Sequence, residues 1–162
     1  MRLYVLLALL FGLTTNAQAA SLELKGITTA SFQVLMSEPS STECGLDNAS
    51  VTNELKFPIQ AYTAIEEDNS RIGTQIVLRL ESLPVRVGGE YIGCAHSVRI
   101  EVFWIGSARL VGAQIADGVH EILLWSEGIT ALSPAEENVS HVKRMIKDIG
   151  RRLASAWQEA NR

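Results

Sequence analysis

The sequence predicts an α+β fold, a mainly antiparallel sheet of about four strands with two helices packed on one face. Three observations lead there. Residues Thr74 to Leu83 and Tyr91 to Ile105 alternate in polarity on either side of a Gly88-Gly89 turn signal, the pattern of antiparallel strands with one covered face. Near the C-terminus Val139, Val142, Ile146, Ile149, Leu153 and Trp157 recur at spacings 3-4-3-4-4, one apolar stripe on a helix of about six turns. No repeat, linker or low-complexity stretch separates the two regions, so both belong to one core.

The 162 residues open with a targeting pattern: Arg2, an apolar run from Leu3 to Leu13, then Ala17-Gln18-Ala19. Small residues at Ala17 and Ala19 suit signal peptidase, so residues 1–19 are read as a signal peptide cleaved after Ala19. The run is too short for a membrane-spanning helix, which needs roughly 20 residues. No Cys stands just behind Ala19 to take a lipid anchor. Residues 20–162 are expected to form a single exported domain, periplasmic or secreted, with no stable membrane insertion.

Leu22 to Met36 reads as a first strand broken near Gly26, followed by a loop at Pro39-Ser40-Ser41-Thr42. Val51, Leu55, Tyr62 and Ile65 then fall near helical spacing, with Asp47, Asn48 or Ser50 available as N-cap. Pro58 is expected to end or kink that helix, because it lacks an N–H. Glu66-Glu67-Asp68-Asn69-Ser70 reads as a solvated acidic turn. In the next strand Ile76, Leu78 and Leu80 share one side, and Val77, Arg79 and Glu81 the other. The strand after Gly89 places Cys94, His96, Val98, Ile100, Val102 and Trp104 together, with Arg99 and Glu101 opposite. Arg109 to Asp117 has no clear pattern, and Val119 to Ile129 is a further strand. Ser133-Pro134-Ala135-Glu136 has the form of a capping box, with Ser133 as N-cap of the last helix.

Chemistry is sparse. In an oxidising compartment the only two cysteines, Cys44 and Cys94, favour a disulfide that closes a loop of about 51 residues. The alternatives are free thiols or a site built on Cys94 and His96, which would share a strand face. His120 and His141 complete no zinc spacing, so no metal and no cofactor is expected. No nucleophile elbow, metalloprotease helix or phosphate-binding loop is present. Glu81 and Glu101 would make an acid–base pair if adjacent, or else ordinary cross-strand pairs with Arg79 and Arg99. Asn48-Ala49-Ser50 and Asn138-Val139-Ser140 match the glycosylation sequon. Lys143, Arg144, Lys147, Arg151 and Arg152 make the last helix basic outside its stripe. That suits either an anionic surface or a core-packed helix with a solvated face.

The net charge of −4 argues against nucleic acid as a partner. The order strand, helix, three-strand meander and closing helix resembles the small α+β domains of bacterial envelope assembly, such as the N-terminal domain of TolB and the lipopolysaccharide-assembly protein LptE. The Trp125 strand followed by the ending Trp157-Gln158-Glu159-Ala160-Asn161 is similar to small exported bacterial proteins. This resemblance spans most of residues 22–161 and brings no catalytic motif, so no functional residue is carried over. Lacking a Cys behind Ala19, the chain departs from the lipid-anchored LptE pattern. The resemblance implies an envelope role.

The expected function is that of an exported, non-enzymatic interaction or assembly module with a protein partner in the envelope. Its binding face would be Arg79, Glu81, Arg99 and Glu101. The alternative is a small-ligand carrier or hydrolase-like enzyme that uses Cys94 and His96.

Overall fold

The computed structural model describes residues 22–107 and 119–162. Residues 1–19, expected to be a signal peptide, and the unpatterned stretch from Arg109 to Asp117 lie outside them. The elements are β1 (Thr29–Met36), α1 (Ser40–Glu43), α2 (Asn48–Tyr62), β2 (Glu66–Glu67), β3 (Gly73–Val87), β4 (Glu90–Ser107), β5 (Val119–Pro134) and α3 (Asn138–Ala160). Short 3-10 turns stand at Leu22–Leu24 and Ala135–Glu137.

The fold is α+β, but its sheet is mixed. The strand order is β2-β1-β3-β4-β5. β3, β4 and β5 form the expected antiparallel meander, turning at Gly88 and Gly89, both at positive φ. β1 runs parallel to β3, because the connection through α2 carries the chain back to the end where β1 began. The acidic turn contributes a short fifth strand. Glu66 N–H donates to the Thr28 carbonyl and Asp68 N–H to that of Ala30, each at 2.9 Å. An edge position leaves the Glu66 and Glu67 side chains in solvent, so two carboxylates are tolerated there.

Three other boundaries differ from the sequence reading. The first strand starts only at Thr29, after Gly26 has turned the chain at a φ of +78°. α2 runs through Pro58 without ending, and Asp47 caps it by accepting from Ser50 N–H at 2.7 Å. Proline removes one hydrogen bond there, but its buried ring packs against Gly150 of α3. β5 extends to Pro134, so Ser133 is a strand residue opposite Cys94 and no capping box forms. α3 begins five residues later, at Asn138, with no side-chain cap. α1 is a third helix of a single turn.

One face of the sheet carries the helices. Ile76, Leu78 and Leu80 of β3 stand beside Val102, Ile100 and Val98 of β4, all essentially inaccessible. Val51, Leu55 and Ile59 of α2 and Val142, Ile146, Ile149 and Leu153 of α3 close that core. Both ends of the predicted stripe are wetter. Val139 is exposed, and half-buried Trp157 donates from Nε1 to the Ile27 carbonyl at 2.9 Å. Among the described residues, no helix covers the other face.

Candidate functional site

Cys44 and Cys94 form a disulfide with a Cα–Cα separation of 6.2 Å, joining the end of α1 to β4. His96 follows two residues later on the same strand face and is 1% exposed. Its Nδ1 lies 2.9 Å from Ser82 Oγ on β3, and its Nε2 lies 2.9 Å from Ser133 Oγ on β5. Ser133 donates to Asn138 Oδ1 at 2.6 Å, and Asn138 Nδ2 donates to the Tyr91 hydroxyl. Tyr91 OH lies 3.2 Å from Cys94 Sγ. The two residues singled out by spacing thus lie near one end and at the other end of one largely buried polar chain.

Ser82 escaped the sequence reading, which took Ser133 for a helix cap, Asn138 for part of a sequon and Tyr91 only for the start of a strand. The available signal was periodicity: Ser82 continues the Ile76-Leu78-Leu80 face and is a polar residue on a core-facing register. Burial pushes the His96 pKa below the ordinary histidine value of 6.5; the Asn138 amide opposes the shift, and His141 on α3 adds to it. Ser82 beside an imidazole has the form of a nucleophile and base, yet its exposure is 0%. No substrate atom can reach it in this arrangement. Among the described residues, no group of three or more His, Cys, Asp or Glu side chains could hold a metal ion. Asn138 is 3% exposed and its amide nitrogen is hydrogen-bonded, so the folded chain has no room for a glycan at the second sequon.

Beside this chain lies a shallow apolar groove of about 250 Å³, lined by Val85, Ile92, Cys94, Leu132, Ser133 and Pro134 among others. Next to it, on the helix-free face, Leu83, Ala95 and Leu132 stand in register across β3, β4 and β5. Leu83 is 63% exposed and Leu132 72%.

Arg79, Glu81, Arg99 and Glu101 all fall on the same helix-free face. Arg79 stands directly opposite Arg99, and Glu101 holds the two together. Its carboxylate accepts from Arg79 Nε at 2.6 Å and lies 3.9 Å from Arg99 Nη1. Glu101, expected among the exposed charges of the wetter face, is buried, because the Arg79 guanidinium pairs with it and that of Arg99 lies close by. Glu81 faces Ser97, whereas Glu101 faces Val77. Four residues along β3 put the two carboxylates roughly 13 Å apart, too far for an acid–base pair.

The basic face of α3 is fully paired. Lys143 and Lys147 reach Glu54 on α2 at 3.8 and 3.1 Å, Arg144 reaches Glu137 at 3.5 Å, and Arg151 reaches Asp148 at 3.6 Å. Arg152 pairs with Glu127 of β5. The apolar stripe is used by the core, so the anionic-surface reading of this helix has no free apolar face to act through. No helix among the described residues is long and apolar enough to cross a membrane.

No family model and no curated protein matches the chain. Among solved structures, a PelC dodecamer from Paraburkholderia phytofirmans overlays with a TM-score of 0.48 at 14% identity, covering 80% of this chain and 87% of that one. A minor lipoprotein from Acinetobacter baumannii overlays with a TM-score of 0.30 at 10% identity, covering 79% and 90%. Overlays this loose carry no argument about function or assembly.

Proposed function

We propose that the chain is an exported, non-enzymatic interaction or assembly module of the cell envelope, binding a protein partner through the helix-free face of its sheet. The observation that carries this reading is the Leu83-Ala95-Leu132 row. Two exposed leucines in register across three strands hold apolar area in water, and a partner that covered them would recover it. Arg79 and Arg99, roughly half-exposed on the same face, offer directional donors that would set the partner's orientation. The Cys44–Cys94 bridge supports an oxidising compartment. The residues that a hydrolase would need are enclosed: His96 is buried with both nitrogens bonded, and Cys94 is in a disulfide.

Photo-crosslinkers placed at Leu83 and Leu132, with Arg151 on the opposite side as control, test the face in intact envelopes. Discrete adducts from both leucine positions and none from Arg151 are expected; the same adducts from all three positions would sink it. The enzymatic alternative is tested by turnover of hydrolase substrates. Activity in the wild type that vanishes in a folded His96→Ala, Cys94→Ser double variant would replace the binding reading with a catalytic one.

A further inference from the structure

The hydrogen bonds around His96 have a direction. Ser133 Oγ–H donates to Asn138 Oδ1, so toward the ring Ser133 only accepts, and His96 Nε2 carries the imidazole proton. Nδ1 of the neutral ring is then the acceptor for Ser82 Oγ–H. Farther along, Asn138 Nδ2–H donates to the Tyr91 oxygen, which leaves the phenolic proton for Cys94 Sγ. Each hydroxyl has used its single proton, and no buried side-chain N or O among the described residues lacks a partner.

A second ring proton has no place in this arrangement. Nδ1–H would need Ser82 Oγ as its acceptor, so the Ser82 hydroxyl would have to turn its proton away from the ring at a fully buried position. The new charge would also lack a counter-ion. The groups acting on the ring are Ser82 from β3, Ser133 from β5, and Asn138 and His141 from α3; Tyr91 and the disulfide-bonded Cys94 of β4 stand farther along the same chain. None of these is a carboxylate, and His141 can only add positive charge.

The weak point of the chain is the corner where β5 passes into α3. Asn138 is the first residue of α3, and that end of the helix has no side-chain cap. Its side chain instead ties the first turn to β5 through Ser133 and to β4 through Tyr91. The groove lined by Cys94 and Ser133 lies at this corner.

We propose that His96 is a pH-responsive latch: uptake of a second ring proton releases the Ser133–Asn138 corner and the first turn of α3, loosening the Ser133–Pro134 wall of the apolar groove beside Cys94. The direction follows from linkage. Burial lowers the folded-state value below 6.5, so the closed state is fully favoured above 6.5 and loses support as the pH falls toward and through the folded value. The latch belongs to the free chain and does not depend on what the helix-free face binds.

The test is an NMR titration of the oxidised protein from about pH 8 to about pH 5, following imidazole nitrogens and the amides of residues 142–145, which bond to the carbonyls of the first turn of α3. At high pH His96 should show the Nε2–H tautomer. Below pH 6.5 the corrected exchange protection of those amides should fall by up to about tenfold per pH unit as the ring takes up its proton. Fluorescence of an added apolar dye should rise over the same interval, and His96→Gln should lack both changes. An Nδ1–H tautomer, a ring already charged at neutral pH, or protonation with first-turn protection unchanged would overturn the latch. These wild-type readouts decide the matter even if His96→Gln does not fold.

Discussion

Ser82 and Ser133 flank the same imidazole, yet their removal should not cost the same. Ser82→Ala leaves one buried group, His96 Nδ1, without a partner. Ser133→Ala strands two, His96 Nε2–H and Asn138 Oδ1. Each orphaned buried group costs about 1–3 kcal/mol, so at neutral pH the Ser133→Ala urea midpoint should fall clearly below that of Ser82→Ala. Equal midpoints would mean that the chain does not run in the order described. At this scale the sequence was legible only in part. The spacing of Cys94 and His96 showed that they share a strand face, a local property of an extended backbone. The partners of His96 come from β3, β5 and α3 and that of the Cys94 bridge from the end of α1, contacts that depend on the packing of elements far apart in sequence.

The contact between α2 and α3 is where two elements explain each other. Pro58 survives inside α2 because Gly150 gives its ring room, and a Cβ on residue 150 would sit 2.6 Å from Pro58 Cγ. Gly150→Ala should therefore destabilise by about 1–3 kcal/mol despite its better helix propensity, and Pro58→Ala in the same chain should restore much of the loss. A stabilising Gly150→Ala in thermal melts would show that the helices can separate at no cost. On the same helix, Ile146→Ala should cost roughly 2–5 kcal/mol, because Ile146 is fully buried. Arg151→Ala, which loses only an exposed ion pair, should stay within about 0.5 kcal/mol. Equal denaturation midpoints would contradict the packing. The α3 stripe was legible because its period repeats over many turns. Its start was not: Ser133 has the right neighbours for a cap, but pairing with β4 and its bonds to His96 and Asn138 hold it in the sheet.

Across the whole molecule, the disulfide links the crossover region to the centre of the meander. Thiol titration of the denatured, unreduced protein should find no free thiol, and two would refute the bridge. Reduction should lower stability by up to about 4 kcal/mol on the chain-entropy estimate for a loop of about 51 residues. The measurement is the shift in urea midpoint with and without reductant at one pH.

The α+β class, the long hairpin at Gly88-Gly89, the last helix and the cysteine pair were all present in local patterns of the chain. Each depends on backbone period, turn chemistry or compartment, which near neighbours encode. The parallel placement of β1, the two-residue β2 strand and the passage of α2 through Pro58 were not. They arise from backbone pairing and from a glycine on another helix, which no window of the sequence contains. The candidate site divides the same way. Alternation assigned Arg79, Glu81, Arg99 and Glu101 to one face, but only tertiary register placed Glu101 between two guanidiniums and separated it from Glu81. It also brought Leu83, Ala95 and Leu132 into one exposed row, because strand pairing sets lateral neighbours that order along the chain leaves open.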